Sequence, residues 1–319
     1  MHLAIELVSI LAGVGLIVFG AETFAENLSA ASARLGVTIF ALAVLLAGAE
    51  PEELATTVIA SLRHSAGIAY GDVIGANIAM CLVALGVGAV IAPLAFSGSA
   101  LRYGLLGLPL GVVAADLAWR GHLARWEGGV LIGLYVAYVA VIWITERRPP
   151  SLGEAAELDE AIERLGEGRG ACRLGREMAL VLLGVAATIG GAILLVDGAK
   201  GLTHLESTQT KVGLILVGFA TAFELVVLAW SSARRGISEA VVAGVVGSFA
   251  YNVTMSLGAG ALVRPLRITD ARQLHGPWVA MVVCLASVLA LAGIMRRLPR
   301  LAGGALLVAY PLVAWLVLS

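Results

Sequence analysis

Apolar residues in this chain come in long uninterrupted runs, without the alternation of a strand or the single stripe of a surface helix. Such runs cover roughly 3–20, 36–62, 68–94, 101–119 and 127–145, and after a polar break they resume at roughly 177–197, 211–232, 237–263, 277–295 and 300–318. A helix that crosses the hydrocarbon core of a bilayer needs about 20 such residues. The pattern therefore predicts an all-α polytopic membrane protein of about ten transmembrane helices, five on each side of the break. The first run, 1–19, has no basic lead-in and continues into more membrane sequence, so it reads as a helix and not as a cleaved signal. Trp119, Trp126, Trp143, Trp278 and Trp315 fall near run ends, where interfacial belts place tryptophan.

The break from Thr145 to Arg176 is the one long polar segment. Ser151-Leu152-Gly153-Glu154 has the form of a capping box, and Ala155, Leu158, Ile162 and Leu165 recur at helical spacing, which predicts a short amphipathic helix. Its wet face would carry Glu154, Glu157, Asp159, Glu160 and Glu163, a solvated linker face or a regulatory ion site. Arg147, Arg148, Arg164, Arg169, Arg173 and Arg176 cluster here, so the positive-inside rule puts the linker in the cytoplasm and both ends of the chain outside. The remaining Lys and Arg divide almost evenly between the two sides. The expected organisation is a first five-helix repeat at 1–145, a cytoplasmic linker at 146–176 and a second repeat at 177–319. Five helices per repeat make the second run upside down relative to the first, an architecture common among transporters.

Composition agrees with a membrane protein: 60% of residues are hydrophobic and 13% charged, against about a quarter charged in soluble domains. The net charge of −1 excludes a polycationic nucleic-acid binder. Cys81, Cys172 and Cys284 are far apart and the five histidines form no HExxH pattern, so neither a disulfide framework nor zinc is implied, and no cofactor. The expected partners are the lipid bilayer and small ions.

Against that background two glutamates stand out. Glu53 lies in Gly48-Ala49-Glu50-Pro51-Glu52-Glu53-Leu54, and Glu224 in Gly218-Phe219-Ala220-Thr221-Ala222-Phe223-Glu224-Leu225. A charged side chain at the membrane centre costs roughly 2.5–3.5 kcal/mol on insertion scales, so such residues mark ion pathways. The surroundings repeat in order. Gly20-Ala21 pairs with Gly198-Ala199, Glu53 with Glu224, and Arg63 with Arg234. Gly71-Asp72-Val73-Ile74-Gly75-Ala76-Asn77 then pairs with Ala243-Gly244-Val245-Val246-Gly247-Ser248-Phe249. On a helix, Glu50 and Glu53 would be neighbours, as would Thr221 and Glu224. Gly48, Pro51 and Gly218 would weaken the helical ladder and free carbonyl oxygens to line a cavity. Carboxylate, hydroxyl and carbonyl oxygens are the donors that hard cations take; calcium wants six to eight.

This order, a glycine followed by Glu-Leu, a basic residue and then Gly-Asp-Val-Ile-Gly-Ala-Asn-Ile, given twice, resembles the cation/calcium exchanger superfamily of sodium/calcium and calcium/proton exchangers. Its members carry two repeats of Gly-Thr-Ser-x-Pro-Glu-Leu followed by Gly-Asn-x-x-Gly-Ser-Asn-x-x-Asn/Asp. The resemblance implies that Glu53 and Glu224 bind the ion and that Thr221 supplies a hydroxyl. Ser248 takes the place of the small polar residue of the second repeat, and Asn252 that of its Asn/Asp. The departures are Ala76 and Met80, where the first-repeat Ser and Asn would stand, and Glu50, a third carboxylate in place of a hydroxyl. A thioether is a poor ligand for sodium or calcium. One divalent site with Glu50, Glu53 and Glu224 exchanging protons fits these residues better than several sodium sites.

The function expected is secondary antiport of calcium or a similar divalent cation against protons or sodium in the plasma membrane, with the first and sixth helices sliding across the ion-binding core. Two alternatives are a ten-helix drug/metabolite-type permease, which would not need paired midplane glutamates, and an exchanger homologue that has lost transport. An intramembrane phosphatase would need Arg and Ser donors that no Gly-x-Ser-Arg-Ser-like element provides. Glu52 is expected to turn toward the interface, Asp72 to lie hydrated near a helix end, and Asp197 and Glu22 to be interfacial. Asn77 is a packing amide or an ion contact, and Gly71-x-x-x-Gly75 is a close-approach surface.

Overall fold

The computed structural model describes residues 2–35, 50–96, 98–146, 171–203, 205–235 and 238–318. In chain order the helices are α1 (His2–Leu35), α2 (Pro51–Leu62), α3 (Ala66–Ile91), α4 (Gly98–Ala118), α5 (Arg125–Glu146) and α6 (Ala171–Gly201). They continue with α7 (206–221), α8 (Phe223–Arg235), α9 (238–263), α10 (Arg272–Met295) and α11 (Arg300–Leu318). Four two-residue strands cap the helix ends: β1 (Leu94–Ala95), β2 (His122–Leu123), β3 (Leu266–Arg267) and β4 (Arg297–Leu298). Among the described residues nine helical spans are long and apolar enough to cross a membrane. Of the remaining expected span, 36–62, the described part is α2 with Glu50 before it. The predicted linker helix falls on 151–165, outside the described residues.

Several boundaries differ from the hydropathy reading; α1, for one, runs on to Leu35, past the end expected near 20. Helix α6 starts at Ala171, inside the segment expected to be linker, because its first residues favour helix without needing lipid. The span expected over 211–232 starts earlier, at Glu206, and is interrupted at Ala222, between the end of α7 at Thr221 and the start of α8 at Phe223.

Helices α3 and α9 have the same internal plan. Each has 14 residues of α-helix, a five-residue π-turn (Met80–Ala84 and Asn252–Ser256) and seven more helical residues. Counterparts are 172 residues apart throughout: Ala66 and Ser238, Met80 and Asn252, Leu85 and Leu257. Strands β1 and β3 obey the same relation, Leu94 and Leu266 being counterparts. β1 pairs antiparallel with β4, bringing Leu94 opposite Leu298, and β2 pairs with β3, bringing Leu123 opposite Leu266. All four leucines are buried, so each small clasp ties the first half of the chain to the second by backbone bonds around an apolar pair.

Small residues let two pairs of helices touch backbone to backbone. Helix α3 runs parallel to α7, and a Cβ at Gly71 would stand 2.7 Å from the Leu214 nitrogen, at Gly75 2.0 Å from the Leu214 carbonyl oxygen. From the other side, a Cβ at Gly218 would meet the Ala76 nitrogen at 2.5 Å. The close-approach role expected of Gly71 and Gly75 is thus the observed one. Helices α1 and α6 form a second, antiparallel pair, Gly13 opposite Gly191 and Gly20 opposite Gly184, with the Ser9 hydroxyl donating to the Leu194 carbonyl at 3.0 Å. Toward the rest of the molecule this pair leans on α2, through α6.

Trp278 departs from its expected place in an interfacial belt. It is fully buried near the start of α10, edge-on to Tyr70 with ring centroids 6.5 Å apart. Trp119, Trp126 and Trp315 are exposed at helix ends. Asp197 lies near the end of α6 in an exposed ion pair with Arg63 at 2.7 Å.

Candidate functional site

Helix α2 begins at Pro51, whose fixed φ and missing N–H suit the first helical position. Glu50 therefore stands outside the helix as its N-cap, at φ −108° and ψ 89°. The two glutamates expected to share a helical face do not: Glu53 is on the first turn of α2, while Glu50 leaves it sideways toward α9. There the Glu50 carboxylate accepts a short hydrogen bond from the Ser248 hydroxyl and a second from the Asn252 amide at 3.3 Å. Glu50 is 7% exposed and both partners are fully buried. Asn252 opens the π-turn of α9, a helical irregularity that frequently accompanies functional sites. Its amide nitrogen also lies 4.0 Å from the sulfur of Met80, the matching residue of α3.

Glu53 belongs to a different group. It is fully buried and lies against Asp72 of α3 and Thr221 of α7, yet neither of its oxygens has a hydrogen-bond partner of proper geometry. Asp72 is fully buried too, which corrects the expectation of a hydrated residue near a helix end. Its hydropathy neighbourhood gave no signal, because α3 is apolar on every other side. Its carboxylate accepts from the Thr221 hydroxyl at 3.0 Å and from the Thr57 hydroxyl of α2 at 3.4 Å. Thr221 sits in the last turn of α7, where its hydroxyl is also 3.1 Å from the Val217 carbonyl oxygen. Thr56, beside Thr57, is buried with an unpartnered hydroxyl.

Five of the six site residues inferred from sequence thus fall into two adjoining groups, and Glu224 falls in neither. Glu50 joins Ser248 and Asn252; Glu53 joins Thr221, with Asp72 and Thr57 added by the structure. Glu224 is half-buried on the first turn of α8, past the interruption at Ala222, so its surroundings differ from those of Glu53. Glu52, expected to approach the interface, is buried. Asn77 donates to the Val73 carbonyl of its own helix at 2.8 Å, and its amide oxygen is buried without a hydrogen-bond partner. Among the described residues no three His, Cys, Asp or Glu side chains converge closely enough to hold an ion by themselves. An ion here would draw on hydroxyl, amide and carbonyl oxygens as well as carboxylates, the mixed oxygen set that suits hard cations.

A helical membrane protein with buried, oxygen-only polar groups on interrupted helices is the form of a transporter. The chain matches the family described as sodium/calcium exchanger protein over residues 5–144 and 177–319, and belongs to that family. It is a cation exchanger by family and a transporter, not an enzyme. It is 25% identical over 305 residues to the putative antiporter CaxA of Alkalimonas amylolytica, covering 92% of this chain and 90% of that one. It is also 25% identical over 305 residues to the sodium/calcium exchanger MaX1 of Methanosarcina acetivorans, covering 84% and 86%. In fold it is similar to the sodium-calcium exchanger NCX_Mj soaked with sodium and strontium, with a TM-score of 0.61 at 22% identity over 98% of this chain and 99% of the other. The superfamily resemblance read from the two glutamate motifs is confirmed by the family match, and the permease alternative is set aside.

Proposed function

We propose that this protein exports calcium or a similar divalent cation across the plasma membrane in exchange for protons or sodium, by alternating access at the buried carboxylate groups. Glu53, Glu224, Glu50, Thr221, Ser248 and Asn252 are the proposed ligands. The observation that carries this reading is Glu53: a fully buried carboxylate with both oxygens unpartnered, beside a second carboxylate and a hydroxyl. Such a group is costly unless a cation or a proton completes it. Protons are the better-supported counter-ion. Ala76 and Met80 leave the first half without two oxygen ligands, and the Met80 thioether, close to Asn252, does not suit sodium.

The proposed division is two inverted repeats, 1–145 and 177–319, joined by a cytoplasmic linker at 146–176. The equal plans of α3 and α9 and the crossed strand pairs support it, as does the arginine cluster of the linker for its side. The moving part would be α1 with α6, which are packed on one another through glycines and lean on the core mainly at α2.

The test is radioactive calcium uptake into proteoliposomes under an imposed pH gradient or an imposed sodium gradient. Uptake driven by pH alone is expected, reduced about a hundredfold or more by Glu53→Gln. Sodium-driven uptake alone would overturn the proton reading. Wild-type flux in Glu53→Gln would remove the central claim.

A further inference from the structure

We propose that Asp72 is itself a ligand of the transported divalent cation, forming with Glu53, Thr57 and Thr221 an all-oxygen binding site where α2, α3 and α7 meet. This rests on the exchanger reading above and adds to it a ligand that the glutamate motifs do not contain.

A buried aspartate that only holds a fold together is normally neutralised by a basic partner or saturated by hydrogen-bond donors. Asp72 has neither. Its partners among the described residues are two threonine hydroxyls, at 3.0 and 3.4 Å, one on each of its oxygens, and the adjoining Glu53 carboxyl, with no Lys or Arg. Beside it is a second carboxylate, Glu53, with both oxygens buried and unpartnered. Two carboxylates pressed together out of water repel, and a divalent cation between them turns that repulsion into attraction from both sides. Glu53, Asp72, Thr57 and Thr221 offer six side-chain oxygens, which is the lower end of the calcium coordination number. Each threonine hydroxyl has two lone pairs beyond the proton it donates.

The matched helix shows that the fold does not need an acid here. The counterpart of Asp72 in α9 is Gly244, with no side chain at all, while the counterparts of Ser248 and Asn252 in α3 are Ala76 and Met80. The first half has thus lost oxygens at two positions and carries a carboxylate one turn earlier. The close parallel packing of α3 on α7 at Gly75 and Gly218 is what delivers Thr221 to Asp72.

The experiment is a calorimetric titration of the full-length protein in detergent with calcium chloride, for wild type, Asp72→Asn, Asp72→Glu and Glu53→Gln. Asp72→Asn keeps the size and one oxygen that accepts from a threonine hydroxyl but removes the charge. Its calcium affinity is expected to fall about a hundredfold or more, with partial recovery in Asp72→Glu. Wild-type affinity in Asp72→Asn alongside lost affinity in Glu53→Gln would overturn the role of Asp72 and leave the exchanger reading standing. Wild-type affinity in both, or no calcium binding by the wild type, would overturn both. If Asp72→Asn does not fold, Thr57→Val decides. It removes only a hydroxyl from the same site, so about tenfold weaker binding is expected and unchanged affinity overturns the proposal.

Discussion

Helices α3 and α9 share a backbone plan to the residue, with their π-turns 172 positions apart, yet they carry different chemistry. On α9 Ser248 and Asn252 bind Glu50. On α3 the same positions are Ala76 and Met80, and a carboxylate, Asp72, stands four residues before Ala76, bound by threonines from α2 and α7. The shared plan sets where the π-turns fall in the two helices. It does not set which copy supplies the oxygens, because an ion needs a total set of donors around it and is indifferent to the helix each comes from. The two halves are therefore alike in frame and complementary in chemistry.

The sharpest way to break the frame is at Gly75, where a Cβ would stand 2.0 Å from the Leu214 carbonyl oxygen. Gly75→Ala is expected to cost about 3 kcal/mol, seen as a lower thermal midpoint in detergent and less monodisperse protein. A stable Gly75→Ala protein would mean that α3 and α7 can separate without loss. Exchanging the chemistry between copies has the next largest effect. Asn252→Met should weaken calcium affinity about tenfold by removing an amide donor from Glu50, whereas Met80→Asn should preserve affinity and raise the response of transport to sodium. Equal effects of the two substitutions would show that the copies are interchangeable after all. The smallest effect belongs to the exposed pair of Arg63 and Asp197, whose side chains are 46% and 43% exposed. Arg63→Gln should change the unfolding free energy by less than about 1 kcal/mol, and a larger loss would mark that end of α2 as part of the working frame.

Much of the proposed site was legible without the structure. Glu53 was found because a carboxylate in an apolar run is anomalous wherever it points. Ser248 and Asn252 were found because a motif repeats, and Gly71 with Gly75 because their spacing is that of helix contacts. Asp72 and Thr57 were missed. Asp72 lies six residues from the start of α3, where hydropathy cannot distinguish a group facing water from one facing another helix. Glu50 was placed on the wrong surface because its neighbour relation to Glu53 holds only inside a helix, and Pro51 starts the helix one residue later.

By itself the sequence determined that the chain is a polytopic helical membrane protein, and it suggested a division into two repeats about a polar linker. The first is a property of each segment in lipid, where every backbone group must be bonded within its own helix. It also marked the carboxylates, since their cost in hydrocarbon is paid wherever they face. Tertiary structure alone decided which oxygens share a site. That depends on the rotation of each helix and on backbone approach at a few glycines, such as Gly75 and Gly218, which bring Thr221 from the far half of the chain onto Asp72.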